Sequence, residues 1–183
     1  MPLESRRIAA FLLTHPDDNA WRRALIEDNL LQKKAPATAL RQASLIRKRL
    51  NSLDAIAWDM IANREQEVAI QLLLVAAVRH SQLLADFIRG VYIDHQRRLN
   101  LALCSGDWEG FFTECAHRDS SVTQWSASTQ AKLFQVILRI LKEAKYLEST
   151  RSMKLTPQSL HPDVLGYLAA HNDSSLVELL ERA

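Results

Sequence analysis

The stretch Val68–Val78, VAIQLLLVAAV, is apolar on almost every side of a helix. A helix that lacks a polar face is normally buried at the centre of a soluble domain. We therefore predict that a helix over residues 65–79 forms the main core of the fold. Gln71 is the one polar side chain in the stretch, and a buried amide of this kind requires a hydrogen-bond partner.

The composition of the rest of the chain favours an all-α protein. Of 183 residues, 48% are hydrophobic, and there are only four glycines and five prolines. A chain of this length forms one domain or two small subdomains. We predict a compact multi-helix bundle in which residues 1–50 form an N-terminal basic subdomain and residues 51–183 form a helical core with a C-terminal subdomain. One continuous domain is the alternative.

Positive charge is concentrated in the stretch Asn29–Leu50. The stretch contains six lysines and arginines and no acidic residue, although the formal net charge of the whole chain is only +2. Pro36 suits the first turn of a helix, and we predict a helix over Pro36–Leu50. Its apolar residues repeat with the helical period on one stripe, which should pack on the protein. That stripe consists of Ala39, Ala43, Ile46 and Leu50.

The opposite face of this helix presents polar and basic groups, and we interpret it as a nucleic-acid contact. Lysine and arginine neutralise phosphates, while Thr38, Arg41 and Gln42 have side chains that can reach base edges. The alternative is a basic face that contacts only water. The absence of acids that would form i,i+4 ion pairs favours a contact, as does the apolar Leu45 on the polar side.

The residues predicted to bind DNA form two sets. The first set lies on the helix Pro36–Leu50 and its approach: Lys33, Lys34, Thr38, Arg41, Gln42, Ser44, Lys48 and Arg49. The second set, in a supporting role, lies on the outer stripe of a later helix, Thr129–Lys145, and just beyond it: Lys132, Arg139, Lys142 and Arg151. The apolar face of that later helix is predicted to be Leu133, Val136, Ile137, Ile140, Leu141 and Ala144.

Two further patterns bear on DNA binding. Three consecutive helices, at about residues 3–14, 18–28 and 36–50, have the outline of a helix-turn-helix unit, although residues 29–36 make a longer connection than its usual tight turn. Residues 146–155 lack a helical period and predict either one small hairpin or a plain loop. A helix followed by a basic hairpin also resembles the wing of a winged helix.

The sequence predicts no catalytic, metal or cofactor site. The four glycines are scattered, so no phosphate-cradling loop is present. Cys104, Cys115 and His117 lack the paired spacing of a zinc site. No histidine lies in a pattern that would activate a serine or cysteine nucleophile. We therefore expect a non-enzymatic protein without a cofactor or a small-molecule substrate.

Cysteine content and hydropathy favour the cytoplasm. Two cysteines fit free thiols in a reducing compartment. The N-terminus lacks the pattern of a signal peptide. The longest apolar run, Leu72–Val78, is far shorter than the roughly 20 residues needed to cross a bilayer. We therefore expect a cytoplasmic protein that contacts no membrane.

Several segments, in this order, resemble the BrxA family, a small component of bacterial BREX phage-exclusion systems. The most specific block begins with Asn29-Leu30-Leu31-Gln32-Lys33 and continues through Thr38, Arg41-Gln42 and Ile46–Leu50. Weaker matches extend over nearly the whole chain, among them Leu72–Leu74, Phe111-Phe112, Trp125-Ser126 and Ile137–Leu141.

This resemblance implies a soluble, helical, non-catalytic protein that binds DNA in a defence system. The other parts of that system include a DNA methyltransferase, an ATPase and a phosphatase-like protein.

Two functional hypotheses follow. In the first, the protein is a DNA-binding accessory component that contacts double-stranded DNA mainly through the basic helix and the phosphate backbone. In the second, it is a protein-interaction adaptor whose basic face docks on another defence-system subunit. The sequence does not separate DNA from RNA.

Overall fold

A computed structural model describes residues 1–183 and confirms the all-α prediction. A π-helical turn lies at Ile88–Tyr92, and a short 3-10 helix lies at Ser120–Gln124. The α-helices are α1 (Pro2–Leu12), α2 (Asp18–Ile26), α3 (Pro36–Leu50), α4 (Ala55–Asn63), α5 (Gln66–His80), α6 (Gln82–Phe87), α7 (Ile93–Arg97), α8 (Ser105–Arg118), α9 (Ala127–Glu143), α10 (Pro162–Ala170) and α11 (Ser174–Glu181).

The chain divides into two compact units. Unit 1 contains Met1–Ser81 and His161–His171, and unit 2 contains Gln82–Leu160 and Asn172–Ala183. In unit 1, α1 packs on α4 and α5 as well as on α3. Residue 50 is therefore not a boundary between the units, and a separate subdomain of residues 1–50 stays a prediction.

Helix α5 is the core of unit 1, as its sequence predicts. Val68 is 1% exposed and Leu72 and Val75 are fully buried. Helices α1, α3, α4 and α10 all pack against it. Gln71, which is 4% exposed, accepts a 2.7 Å hydrogen bond from the backbone N–H of His161 through its Oε1. The predicted need for a partner is thus met by the residue that precedes α10.

Helix α3 has the predicted boundaries and the predicted buried stripe. Its four apolar residues Ala39, Ala43, Ile46 and Leu50 are at most 2% exposed. Ala35 is extended, with φ −114° and ψ 121°, because a residue before proline avoids the helical region. The stripe packs on α1, α2 and α5, so the opposite side of α3 faces away from these helices.

His171 links the end of α10 to the start of α4 within unit 1. Its Nδ1 lies 2.8 Å from the Tyr167 carbonyl oxygen, and its Nε2 lies 2.9 Å from Asp54 Oδ2. Both partners are acceptors, so only the protonated imidazolium donates to both at once. The Tyr167 carbonyl and then the Asp54 carboxylate raise the pKa of His171 above its ordinary value.

We predict that His171→Gln destabilises the protein mainly at mildly acidic and neutral pH. A raised pKa means that the contribution of His171 is complete below its ordinary pKa of about 6.5 and is lost as the pH rises through the raised value. Thermal melting of the wild type and the variant from about pH 5.5 upward tests this, with the exposed His80→Gln as the control. A melting difference that stays constant up to alkaline pH would contradict the assignment.

Unit 2 is held together by aromatic side chains. The Trp108 ring stacks on Phe134 of α9 with centroids 5.2 Å apart, and Phe87 of α6 meets Phe111 edge-on at 5.3 Å. The sequence wrongly placed Val136 on the buried face of α9. Val136 is 43% exposed, whereas Leu138 is 5% exposed, because α9 packs with the side that carries Phe134 and Leu138, four residues apart, towards Trp108.

The small hairpin predicted near residues 146–155 is present, as single antiparallel bridges rather than regular strands. Leu147 pairs with Leu155, and the Glu148 N–H donates to the Lys154 carbonyl at 3.0 Å. The segment 101–103 pairs with the other edge of residues 153–155 through an antiparallel bridge between Ala102 and Lys154. The sequence did not predict this third segment.

Tyr146 anchors the base of the hairpin to the C-terminus of unit 2. It is 1% exposed, and its hydroxyl donates to the Leu180 carbonyl at 3.0 Å. Its own carbonyl accepts a 2.7 Å hydrogen bond from the Tyr92 hydroxyl. Burial raises the pKa of both phenols, so both hydroxyls remain donors at physiological pH.

We predict that Tyr146→Phe lowers the free energy of unfolding by about 1–2 kcal/mol, because the buried Leu180 carbonyl loses its donor. Urea denaturation with an unchanged m-value measures this difference. Unchanged stability would show that the hydroxyl contributes nothing.

Candidate nucleic-acid interface

The outer face of α3 exposes two cations that take part in no ion pair. Arg41 and Lys48 are both exposed, and their seven-residue separation places them about 10.5 Å apart along the helix axis, on the same side. Ser44 lies exposed between them, and Lys34 is exposed on the approach to the helix. Lys34, Arg41 and Lys48 are therefore the cations of this stretch that are available to an outside partner.

Lys33 lies in an ion pair with an acid from another helix. Its Nζ is 2.6 Å from Glu4 Oε1 of α1, and the two side chains are only 25% and 20% exposed. The hydrogen bond from Lys33 holds the pKa of Glu4 below its ordinary value. Lys33 as a DNA contact stays a prediction, and it would require Lys33 to leave Glu4.

Arg47 stabilises the packing of α3 against α2. Its guanidinium carbon lies 4.6 Å from the centroid of the Trp21 ring, a cation–π distance. Its Nη1 is also 3.8 Å from Asp18 Oδ1. Trp21 in turn stacks on Phe11 of α1. Arg47 therefore joins neighbouring helices, and the predicted DNA-binding set did not include it.

Four other residues of α3 lie at the border of the buried stripe. Thr38, Gln42, Leu45 and Arg49 are half-buried. Gln42 Oε1 is buried and accepts no hydrogen bond. Reading an adenine requires both the oxygen and the nitrogen of a glutamine amide, so Gln42 would have to turn outward to do so. Leu45 is less exposed than its place on the polar side of the helix suggested.

The connection between α2 and α3 is longer than in a helix-turn-helix unit. It covers residues 27–35, and Asn29 and Gln32 within it adopt left-handed backbone conformations with φ 47° and 53°. Helix-turn-helix units join their helices with three or four residues. Helices α2 and α3 do pack on each other, and the helix-turn-helix unit stays a prediction.

The second predicted set lies in unit 2, whereas the first set lies in unit 1. Lys132, Arg139 and Lys142 are exposed along α9, and Arg151 is exposed in the turn of the hairpin. None of these four side chains is in an ion pair. Each predicted set therefore lies within a single unit.

The remaining candidates for chemistry are dispersed. The structure contains no group of three or more His, Cys, Asp or Glu side chains placed to hold a metal ion. Cys104 is exposed, Cys115 is buried, and both are free thiols. No single helix is both long and apolar enough to span a membrane, and only α5 and the stretch Gln82–Arg97, taken together across a bend, reach that length and hydropathy.

Comparison with known proteins places the chain in a family. The family model described as BrxA matches residues 1–172. The BREX protein BrxA of Paramagnetospirillum magneticum (strain ATCC 700264 / AMB-1) is 34% identical over 178 residues, which cover 97% of this chain and 89% of that relative. The chain belongs to the BrxA family. The resemblance seen in its sequence is therefore confirmed.

Two further relatives extend the comparison. The BREX protein BrxA of Escherichia coli O9:H4 (strain HS) is 34% identical over 181 residues, which cover 99% of this chain and 85% of the relative. A crystal structure of an uncharacterized protein from Magnetospirillum magneticum matches this BrxA-family chain with a TM-score of 0.89 at 31% identity, covering 100% of this chain and 93% of the other. The fold of that protein therefore matches this chain over its full length.

Proposed function

We propose that this chain is a non-catalytic, DNA-binding accessory component of a bacterial BREX phage-defence system and that it acts in the cytoplasm. Membership of the BrxA family supports the place in a BREX system, since the relatives are named BREX proteins. The observation that carries the DNA-binding part is the exposed face of α3, where Arg41 and Lys48 have no acidic partner.

Unpaired, exposed cations are well suited to a phosphate backbone. They bind phosphates without first breaking an ion pair, and each phosphate contact releases condensed counterions from the duplex. Ser44, between the two cations, supplies a hydroxyl that can donate to phosphate oxygens. Binding to the proposed partner, double-stranded DNA, is therefore mainly electrostatic.

We predict that Arg41→Glu combined with Lys48→Glu abolishes most of the affinity for a short DNA duplex and reduces the slope of log affinity against log salt by about 2. Fluorescence anisotropy of a labelled duplex across a salt series measures both quantities. The matched control, Arg64→Glu with Arg182→Glu, makes the same charge change at exposed residues in weak surface ion pairs and should bind more tightly than the α3 variant. Circular dichroism should show the same helix content in all three proteins.

The adjacent lysines offer a second matched comparison. Lys34→Gln should weaken duplex binding more than Lys33→Gln, because Lys34 is exposed whereas Glu4 already neutralises Lys33. The same anisotropy assay compares the two variants at one salt concentration. Equal losses would show that Lys33 leaves Glu4 to bind DNA.

Docking of another defence-system protein on the same face is the second candidate function. Leu40, next to Arg41, is 39% exposed, and protein interfaces are enriched in arginine and have an apolar core. Capture of a partner subunit that depends on Arg41 and Lys48 and resists nuclease, together with no duplex binding at low salt, would replace the DNA-binding proposal with this one.

A further inference from the structure

Residues 82–156 of unit 2 follow the chain order of a winged helix. A helix formed by α6, the π-turn and α7 is followed by the extended segment 101–103, then by α8 and α9, and then by the hairpin of residues 146–156. Winged helices have this same succession of helix, strand, two helices and a hairpin, and their third helix is the one that reads DNA. Helix α9 occupies that third position, although residues 119–126, which include the 3-10 helix, make a longer connection from α8 than the usual turn of three or four residues.

The pairing of the extended segments also matches a winged helix. In that fold the first strand pairs with the second arm of the hairpin, not with the first arm. Here the Leu155 N–H donates to the Leu101 carbonyl at 2.9 Å, and the Leu103 N–H donates to the Met153 carbonyl at 3.0 Å. The opposite side of the same arm bridges to Leu147. This non-local pairing is independent of the charge pattern of the unit.

Helix α9 buries one side, and its opposite side is exposed along a helix narrow enough to enter the major groove of DNA. Ile137, Leu138 and Leu141 are at most 5% exposed, and Phe134 stacks on Trp108. The opposite side, towards the N-terminal half, is exposed: Ala127, Ser128, Thr129, Ala131, Lys132, Gln135, Val136 and Arg139. A helix with side chains is 10–12 Å across, and the major groove of B-DNA is about 12 Å wide.

The exposed side chains of α9 have the chemistry of major-groove readers. Lys132 and Arg139 lie two turns apart and reach phosphates or guanine edges, and Gln135 between them presents an amide for adenine. Val136, which is 43% exposed, supplies an apolar surface for a thymine methyl group. The one acid of the helix, Glu143, is its last residue, so no carboxylate faces the groove.

The hairpin turn is fixed to the end of α9 and carries a further cation. Lys145 has φ 67°, and the Tyr146 N–H donates back to the Leu141 carbonyl at 2.8 Å, which is the pattern of a Schellman helix end. In the turn, the Ser152 N–H donates to Ser149 Oγ at 2.9 Å. Glu148 accepts a hydrogen bond from the Ser152 hydroxyl. Arg151 therefore projects from an internally bonded turn.

We propose that unit 2 is a winged-helix DNA reader, in which α9 enters the major groove and Arg151 of the hairpin contacts the adjacent phosphate backbone. This inference rests on the proposed DNA-binding function and adds a second contact element to α3. Over residues 127–156 the chain has six lysines and arginines against two acids, so the charge of this surface complements the duplex.

Charge reversal on α9 gives the first test. Lys132→Glu with Arg139→Glu should lower the affinity of the full chain for the duplex by at least about tenfold at moderate salt, since two phosphate-reaching cations are reversed. Arg64→Glu with Arg182→Glu is again the control for net charge. Both pairs of residues are exposed, so circular dichroism should remain that of the wild type.

Photocrosslinking gives a direct test of groove contact. A duplex in which 5-iodouracil replaces thymine carries iodine at the position of the methyl group in the major groove. After irradiation with the wild-type chain and digestion with trypsin, the crosslinked peptide should be Leu133–Arg139 of α9. A contact through α3 would instead crosslink the peptide Gln42–Arg47. Mass spectrometry distinguishes this peptide from Leu133–Arg139.

The outcomes separate this inference from the proposed function. Loss of affinity in the α9 variant together with a crosslink in Leu133–Arg139 supports the winged-helix reader. Full affinity in the α9 variant with crosslinks confined to Gln42–Arg47 overturns the reader and leaves DNA binding by α3 intact. No duplex binding by the wild type at low salt overturns both.

Discussion

Unit 1 depends on covering α5, a helix whose middle, Val68–Val78, is apolar on almost every side. Such a helix is stable in water only when neighbours surround it, and α1, α3 and α4 supply part of that cover from the same half of the chain. The remaining neighbour, α10, comes from far along the sequence. It is positioned by a polar group of the core, because the buried amide of Gln71 needs a donor and the His161 N–H is that donor.

The packing of α5 also determines which charges face outward. Since the apolar stripe of α3 is used against α5 and its neighbours, the opposite side of α3 must meet solvent or a partner. Glu4 of α1 pairs with Lys33, and the Trp21 ring of α2 holds the Arg47 guanidinium at a cation–π distance, so these two of the six cations contact neighbouring helices. Lys34, Arg41 and Lys48 retain their charge without a partner, so a uniformly basic stretch becomes a smaller and more sharply defined contact surface.

The sequence predicted those features that the local periodicity of apolar residues determines. The bounds of α3, its buried stripe and the need of Gln71 for a hydrogen-bond partner all follow from repeat spacing and from the cost of burying a polar group. Features set by distant residues were not predictable. Glu4 and Lys33 are 29 positions apart, and the pairing of segment 101–103 with the hairpin joins residues some fifty positions apart. The side chain of α9 that contacts Trp108 also depended on tertiary packing, and so Val136 was misplaced.

The most direct test of the account is the affinity of the wild-type chain for a short DNA duplex as a function of salt concentration. Three unpaired cations on and before α3 predict that log affinity falls against log salt with a slope of magnitude about 3 or more. Contacts from unit 2 would increase that magnitude. Undetectable binding at low salt, or an affinity that does not change with salt, would contradict the claim that the exposed basic face of α3 binds the phosphate backbone of DNA.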